Sequence, residues 1–283
     1  MNYRHHYHAG NFADLIKHAL LLALISELKA QGAPLNVIDT HAGAGLYDLE
    51  GEEAAKSGEA AAGILRLMAD PDAPPAFAPL IAQVKALNRN GPVRLYPGSP
   101  ALCMGALGAG DRYLGCELRP DDSRALGETL RKLRRKDGPD GIANMTDGYE
   151  TVQALRPDSS RRLLVLIDPP FERGDDYDNL VETARKLLRL RPRPLVAIWA
   201  PIKDLETFDS LLRRLEEFAD GRGLVVQARL RPLINPMKMN GTAMILLGDT
   251  TCAPMAKAIC DWVATHLGEK GALARVEPLS PAA

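Results

Sequence analysis

A run of five consecutive apolar residues, Leu163 to Ile167, constrains the fold of this chain more than any other segment. Arginines precede the run and Asp168-Pro169-Pro170 ends it, so it is too short for an ordinary helix. Continuous apolar runs of this length are typical of strands buried on both faces, and such strands occur in parallel sheets covered by helices. The run therefore predicts an α/β protein with helices on both faces of its sheet.

Strand and helix patterns alternate along the rest of the chain. Short apolar runs predict further strands at residues 35–39, 112–118, 141–145, 194–200, 224–230 and 241–248. Helical spacing predicts helices at residues 11–32, 179–190, 205–218 and 255–267. Asn11 can cap the first of these helices, and Gly32 can end it. Alternation of this kind favours a doubly wound, mainly parallel sheet.

The interval between the first two predicted strands is abnormally long. In a dinucleotide-binding fold, the acid that ends the second strand follows the glycine-rich turn by about 20 residues. Here the best candidate, Glu117, follows Gly45 by about 70 residues. The surplus, about residues 46–97, is rich in alanine and proline and contains stretches with helical spacing. We expect a small helical insertion at the rim of the sheet.

Residues suited to a nucleoside ligand follow three of the predicted strands. The glycines of the THAGAG turn (residues 40–45) let the backbone turn sharply close to a ligand, although the third glycine of a nicotinamide fingerprint is missing. Glu117 is placed to bind two ribose hydroxyls, and Asp147-Gly148 lies where a base would sit. Ser99 precedes a predicted helix and is either a ligand contact or a plain N-cap. For the glycines alone, an ordinary strand-to-loop turn is the alternative.

The segment after the buried run, Asp168-Pro169-Pro170-Phe171, suits a planar substrate that carries an amino group. The two prolines stiffen the backbone and remove two N–H donors, so carbonyl oxygens are presented without competing donors. Asp168 and the Pro169 carbonyl can accept the two amino hydrogens while Phe171 stacks on the ring. The alternative is a proline-stiffened loop with a solvated aspartate.

These motifs resemble those of a known family of enzymes. The DPPF segment matches the (D/N)-P-P-(Y/F/W) motif of S-adenosylmethionine-dependent methyltransferases that act on adenine N6 or cytosine N4. A longer similarity, to the bacterial 23S ribosomal RNA adenine-N6 methyltransferase family RlmJ, is carried by YRHHYHAGNFADLIKH (3–18), DTHAGAG (39–45), YPGSP (96–100), DGYE (147–150) and DPPFE (168–172). The resemblance extends from the first residues to about position 175.

The resemblance to the RlmJ family implies a fold and an activity. It implies a Rossmann-like class I methyltransferase domain over residues 1–283, which includes the N-terminal tail and helix (1–32) and an inserted helical subdomain (about 46–97). The implied reaction is methylation of one adenine of 23S rRNA, either naked or in an early assembly intermediate, with S-adenosylmethionine as the methyl donor.

The resemblance also implies roles for individual residues. The residues expected to bind S-adenosylmethionine are Lys17, His18, His41, Ser99, Glu117, Asp147, Gly148 and Asp168. Asp168, Pro169 and Phe171 would form the catalytic motif, with Asp168 as the acceptor toward the adenine amine. Tyr3 would contact the RNA. The family often has tyrosine where Phe171 stands, so this chain keeps the stacking face and lacks the hydroxyl.

The predicted mechanism is direct in-line methyl transfer to a base that has left its stack. An exocyclic adenine amine is a poor nucleophile because its lone pair is delocalised into the ring. Hydrogen bonds to Asp168 and to the Pro169 carbonyl would draw the nitrogen toward tetrahedral geometry, so that its lone pair faces the methyl group. Flipping the base costs a few kcal/mol unless the base is already unpaired.

Three other functions stay open on the residues themselves. The same chemistry could act on DNA or on a protein side-chain amide, because DPPF does not separate these substrates. A non-catalytic RNA-binding or ribosome assembly factor could use the same fold, although the intact Asp168, Glu117 and Phe171 argue against loss of the site. A nicotinamide dehydrogenase is disfavoured by the missing glycine.

Basic and histidine-rich segments lie outside these motifs. His5, His6 and His8 could bind a metal ion or form an RNA-contacting arm, and we expect no metal because no cysteine or acid lies near them. The basic runs 131–136 and 185–194 could contact RNA phosphates or simply be solvated helix faces.

The global composition excludes few functions. The formal net charge is −1, so no overall basic character indicates a nucleic-acid or membrane partner. The four cysteines have neither CxxC nor zinc-binding spacing, which is typical of reduced structural thiols. The first ten residues lack the apolar segment of a signal peptide, and no apolar run is long enough to span a membrane. We expect a soluble, cytoplasmic monomer.

Overall fold

The computed structural model describes residues 7–156, 158–232 and 239–279. Its strands in chain order are β1 (Leu35–Asp39), β2 (Leu46–Asp48), β3 (Leu95–Pro97), β4 (Arg112–Cys116), β5 (Asp140–Asn144), β6 (Arg162–Ile167), β7 (Leu195–Ile202), β8 (Gly223–Arg229), β9 (Gly241–Leu247) and β10 (Leu273–Pro278). Eight of them form one sheet in the order β10-β8-β9-β7-β6-β1-β4-β5, and β2 pairs with β3 in a separate two-stranded sheet.

The main sheet is mostly parallel, as the alternation of strands and helices predicts. The neighbours from β5 through β4, β1 and β6 to β7 all pair in parallel. Strand β9 is antiparallel to both β7 and β8, and β10 is antiparallel to β8. All seven predicted strands of the main sheet are present, and the prediction of an α/β fold is confirmed. The eighth strand, β10, and the short β2 and β3 have no clear sequence signal.

The apolar run in β6 is buried on both faces, as predicted. Leu164 and Leu166 contribute to one apolar cluster of the protein, whereas Val165 and Ile167 contribute to the other. All four side chains are fully buried. Because successive side chains of a strand point to opposite faces, a continuous apolar run is what a strand between two helix layers requires.

Helices cover both faces of the main sheet. In chain order they are α1 (Phe12–Lys29), α2 (Glu52–Ser57), α3 (Glu59–Ala62), α4 (Ile64–Ala69), α5 (Ala78–Leu87), α6 (Ser99–Ala106), α7 (Pro120–Lys132), α8 (Gly148–Gln153), α9 (Asp176–Leu188), α10 (Leu205–Ala219) and α11 (Ala253–Leu267). Helices α1, α6, α7 and α11 pack in one apolar cluster, and α8, α9 and α10 pack in the other.

Helix α1 starts where the sequence predicts and is buried almost all round. The Asn11 side chain accepts hydrogen bonds from the N–H groups of Ala13 and Asp14, which is the expected N-cap. The helix ends at Lys29, three residues before Gly32. The first turns bury three polar side chains, Asp14, Lys17 and His18, which are at most 4% exposed. Buried charges need partners, so the start of α1 is a place to look for a functional cluster.

The segment between β2 and β3 contains the short helices α2 to α5. Its ends are joined by the antiparallel pairing of Leu46 with Pro97. Its buried side chains Ile64 and Phe77 belong to the same apolar cluster as α1, and the Phe77 ring lies 5.3 Å from that of Trp262 in α11. The helical content agrees with the sequence pattern. The segment shares its core with the rest of the protein, and its description as an inserted subdomain stays a prediction.

None of the helices in the described residues is both long and apolar enough to cross a membrane.

Candidate active site at the carboxyl edge of the sheet

A cleft opens at the carboxyl edge of the parallel strands, between β1 and β6. On one side of β1 the next strands in the sheet are β4 and β5, and on the other side they are β6 and β7. The strand order therefore reverses between β1 and β6. Open α/β sheets bind their ligands at such a point. The cleft holds about 840 Å³ free of protein atoms. Its lining includes Lys17, His18, His41, Ser99, Glu117, Gly148, Asp168 and Pro169.

Asp168 lies directly after β6 and is fixed by a lysine from α1. The Lys17 Nζ atom is 2.7 Å from Asp168 Oδ2 and 2.9 Å from Asp14 Oδ1. Asp14 in turn accepts the Gly10 N–H at 2.9 Å. The Asp168 side chain is 16% exposed, whereas those of Lys17 and Asp14 are almost fully buried. The Lys17 ammonium group therefore holds one carboxylate oxygen of Asp168 in place. Asp168 is the most exposed member of the ion-pair chain Asp14–Lys17–Asp168.

The aromatic face beside Asp168 is shared by two residues. Phe171 has a φ of +50° and packs against Tyr177 and Trp199, with ring centroids 4.7 and 5.8 Å away. Phe171 does not line the cleft, but Trp199 from β7 does, together with Pro169 and Pro170. The Trp199 Nε1 atom donates to Thr242 Oγ1 at 2.7 Å, which fixes the indole. The flat surface next to Asp168 thus includes the Trp199 indole, which the DPPF motif does not predict.

Glu117 connects the glycine turn to the end of β4. Its Oε2 atom accepts the Gly43 N–H at 3.0 Å, and its Oε1 atom accepts the Arg119 N–H at 2.8 Å. Gly43 has a φ of +61°, a conformation that favours glycine, and this brings its N–H toward the carboxylate. Burial raises the pKa of Glu117, while the two backbone hydrogen bonds act in the opposite direction. The carboxylate is positioned with lone pairs left for hydroxyl donors.

Gly148 marks a very close approach of two backbones. A Cβ atom at this position would lie 2.1 Å from the Thr40 carbonyl oxygen. The preceding residue, Asp147, caps α8 by accepting the N–H of Tyr149 at 2.7 Å, and it does not line the cleft. His41 contacts the Tyr149 ring edge-on at 5.0 Å, and burial lowers the pKa of its imidazole. Burial therefore favours the neutral form of the His41 imidazole, although nearby carboxylates, Asp168 first, act in the opposite direction.

A buried carboxylate, Asp39, lies beneath the cleft at the end of β1. Its Oδ2 atom accepts the Ser99 hydroxyl at 2.6 Å and the Tyr113 hydroxyl at 3.1 Å. The Ser99 hydroxyl therefore anchors to Asp39 and does not cap α6, whose N-cap is Gly98. Burial raises the pKa of Asp39 to about 6, although the hydrogen bond from Ser99 lowers it. A second buried bond, 2.7 Å between His18 Nδ1 and the Tyr96 hydroxyl, fixes the neighbouring histidine.

We predict that the Asp39 carboxyl titrates near pH 6 in the folded protein and that Ser99→Ala raises its pKa further, because the variant removes a hydrogen bond to the charged form. Since the folded pKa lies above the unfolded value, stability decreases as pH rises from about 4 to about 6 and then levels off. Carbon-13 NMR of labelled aspartate measures this pKa. A titration near pH 4 in both proteins would contradict the prediction.

The structure brings most of the expected site residues together and adds others. Eight of them line one cleft, whereas Asp147 and Phe171 do not line it. Tyr3, His5 and His6 lie outside the described residues. His8 is described, and its Nδ1 atom lies 3.0 Å from Glu59 Oε1. No group of three or more potential metal ligands occurs among residues 7–156, 158–232 and 239–279.

Asp39, Asp14 and Trp199 belong to this site and were missed from sequence. Asp39 carries the same signal that singles out Glu117 and Asp168, an acid at the carboxyl end of an apolar strand, and could have been found. Asp14 lies in the first turn of α1, where an acid has the ordinary explanation of a favourable charge at a helix N-terminus. Trp199 gives no local signal, since its run reads as an ordinary buried strand.

Comparison with known proteins identifies similar chains. A family model described as RsmJ, ribosomal RNA large subunit methyltransferase D, RlmJ, matches residues 32–278. A curated protein from Escherichia coli, ribosomal RNA large subunit methyltransferase J, is 33% identical over 247 residues, which is 87% of this chain and 86% of the relative. The Haemophilus influenzae protein of the same name is 32% identical over 248 residues, again 87% and 86%.

A solved structure is similar over the whole length of the chain. It is a crystal structure of a Legionella pneumophila protein assigned to a family called DUF519. The two chains are 28% identical, the TM-score is 0.87, and the match covers 96% of this chain and 98% of that one.

Proposed function

Because this chain belongs to the RlmJ family of ribosomal RNA large-subunit methyltransferases, we propose that it transfers the methyl group of S-adenosylmethionine to N6 of one adenine of 23S rRNA. The observation that carries the proposal is the position of Asp168. This carboxylate follows the buried strand β6, is held by Lys17, and opens with Pro169 into the cleft at the reversal of strand order. The substrate class follows from the family.

The cleft residues fit S-adenosylmethionine. Glu117 offers a fixed carboxylate to a ribose diol, and the neighbouring Leu118, 45% exposed, offers an apolar surface to an adenine ring. The other candidate contacts that line the cleft are Lys17, His18, His41, Ser99, Gly148 and Asp168, whereas Asp147 does not line it. When bound, this cofactor supplies a methyl group on a positively charged sulfur.

Asp168 and Pro169 act on the amine that receives the methyl group. Lys17 occupies one oxygen of the Asp168 carboxylate, which leaves the other oxygen to accept an amino hydrogen. The Pro169 carbonyl accepts the second hydrogen. Two acceptors on one amine orient its lone pair out of the ring plane, and Asp168 can hold the proton that the product amine releases. Positioning and fixed charge provide most of the rate enhancement.

Phe171 and Trp199 hold the flipped base. Stacking of a base on an aromatic ring contributes about 1–3 kcal/mol. Trp199 lines the cleft and is fixed by Thr242, whereas Phe171 supports it from behind. We propose that the pair, with Pro170, forms the surface against which the adenine is placed. This arrangement keeps the stacking role that the DPPF motif implies and shares it between two rings.

The substrate form and the assembly state complete the proposal. The enzyme that we propose acts as a monomer. A target adenine must leave its stack to reach Asp168, and this is easiest in naked 23S rRNA or an early assembly intermediate. An enzyme that acts on such RNA works in the cytoplasm. The resemblance to the family implies that Tyr3, in the N-terminal tail, contacts the RNA.

The test is transfer of a radiolabelled methyl group from S-adenosylmethionine to three acceptors: unmodified 23S rRNA transcript, duplex DNA and ribosomal protein. We expect label on the transcript only, recovered as N6-methyladenosine, with much less label on mature large subunits. Label on DNA or protein would keep the chemistry and overturn the substrate. Cofactor binding without transfer to any acceptor would favour a non-catalytic assembly factor.

A further inference from the structure

A second cleft lies at the opposite, amino edge of the sheet, and we call it the amino-edge cleft. It is formed by the starts of β4 and β5 and by the end of α7, and it holds about 1770 Å³. The cations that line it are Arg112, Arg131, Arg134, Arg135, Lys136 and Arg161. Only two carboxylates, Asp111 and Asp140, line it. In a chain of net charge −1, this is a strong local excess of positive charge.

Partners within the protein neutralise only part of this charge. Asp158 interacts electrostatically with Arg161 and Arg112. Asp111 is buried and already bonded to Lys29 Nζ and to the backbone N–H groups of Leu35 and Gly108. Four of the cations are exposed and form no ion pair among the described residues: Arg112, Arg131, Arg134 and Lys136. The C-terminal dipole of α7 explains why a cation is favourable at Arg131. It does not explain Arg112, at the start of β4, or Arg161, in the loop before β6.

Two of the arginines are held in place by backbone carbonyls. Arg161 donates to the Gly110 carbonyl at 2.6 Å, and Arg135 donates to the Leu107 carbonyl at 2.9 Å. A guanidinium has five N–H donors, so each keeps donors for an external acceptor. The cleft is thus partly preorganised and not merely a mobile basic fringe.

In the other basic run of the chain, residues 185–194, two arginines have carboxylate partners. Arg185 pairs with Glu217 and lies over the Phe218 ring, and Arg193 pairs with Asp220. Arg191 donates to backbone carbonyls, whereas Lys186 and Arg189 are exposed and form no ion pair with a described carboxylate. Ion pairs within the protein therefore neutralise two of the five cations of this run.

We propose that the amino-edge cleft binds the sugar–phosphate backbone of the substrate RNA at a distance from the target adenine. The proposal rests on the RNA methyltransferase function proposed above. Arginine forks match phosphate geometry, and several unpaired cations in one cleft suit a polyanion better than a single small ligand. Arg112 and Glu117 lie at opposite ends of β4, about 17 Å apart at the rise of a strand.

This distance separates two tasks. Phosphate contacts position a nucleic acid and carry no sequence information, whereas the chemistry occurs at the carboxyl edge. An RNA that engages both edges is held in register over a length much greater than one nucleotide. The amino-edge cleft should therefore matter for a long RNA substrate and be dispensable for a short one.

The test compares Arg131→Gln/Arg134→Gln with the matched control Arg213→Gln/Lys270→Gln, which removes two exposed cations elsewhere. Loss of two phosphate contacts lowers the salt dependence of binding. When salt is raised from 50 to 200 mM, the affinity for a long 23S fragment should fall for both proteins. The factor by which it falls should be about 10 times smaller for the cleft variant than for the wild type. At low salt its KM for the fragment should rise about 10-fold with kcat unchanged. Transfer to a short oligonucleotide around the target adenine should be unaffected.

The outcomes separate this proposal from the one on which it rests. If the wild type methylates no RNA, the proposed function fails. If the wild type methylates the fragment and the cleft variant matches the control in salt dependence and KM, the cleft proposal alone fails. Equal loss on the long and short RNA would place the contacts beside the target base and would overturn the remote position. Thermal melting confirms that both variants are folded.

Discussion

Replacing Asp168 with alanine or asparagine is expected to reduce methyl transfer to RNA by about 10²–10⁴-fold. Alanine removes the acceptor that orients the amine, and asparagine keeps the shape of the side chain but loses the charge and cannot hold the released proton. Single-turnover transfer at saturating S-adenosylmethionine measures the chemical step directly. We expect the asparagine variant to keep more activity than the alanine variant, because its amide oxygen can still accept an amino hydrogen, as in members of the (D/N)-P-P motif that carry asparagine.

Binding of S-adenosylmethionine to the Asp168 variants should change far less than the rate. Seven of the eight candidate cofactor contacts remain when Asp168 is replaced, and Lys17 then keeps its partner Asp14. The matched control is Asp175→Asn, which removes an exposed carboxylate paired with Arg173 in the same loop and should leave transfer unchanged. An Asp168→Ala variant that is as fast as the control would disprove the catalytic role.

The sequence predicts best those features in which local pattern and fold agree. The apolar run of β6 requires helices on both faces, and its charged end must then emerge at the carboxyl edge, where Glu117 also emerges from β4. The same logic applies to every parallel strand. It therefore also applies to Asp39 at the end of β1, which directly precedes the THAGAG turn.

Features that depend on contacts between distant segments are not readable in the same way. Trp199 reaches the site because β7 lies beside β6, and its indole is fixed by Thr242 from β9. The pairing of Lys17 with Asp168 spans 151 positions of the chain. Strands β2 and β3 are three residues long and are set by their mutual pairing across the intervening helices. No local pattern specifies such contacts, which arise only when the whole fold assembles.

Gly148→Ala is expected to weaken S-adenosylmethionine binding by more than 10-fold and to destabilise the protein by about 1–3 kcal/mol. The added methyl group would lie 2.1 Å from the Thr40 carbonyl oxygen and 2.5 Å from Thr40 Cα, so the backbone of β1 and the start of α8 must move apart. That movement displaces His41 and Asp147 together, because they flank the contact. Calorimetric titration with the cofactor and thermal melting measure the two effects.

The control for Gly148→Ala is Gly127→Ala, inside α7, where a methyl group would meet no atom within 4 Å. Since alanine is a better helix former than glycine by about 0.8–1.0 kcal/mol, this second variant should be more stable than the wild type and should bind S-adenosylmethionine normally. The two substitutions add the same atom and are expected to have opposite effects on stability. If Gly148→Ala behaved like Gly127→Ala, the close approach of β1 to α8 would not be what shapes the cofactor cleft.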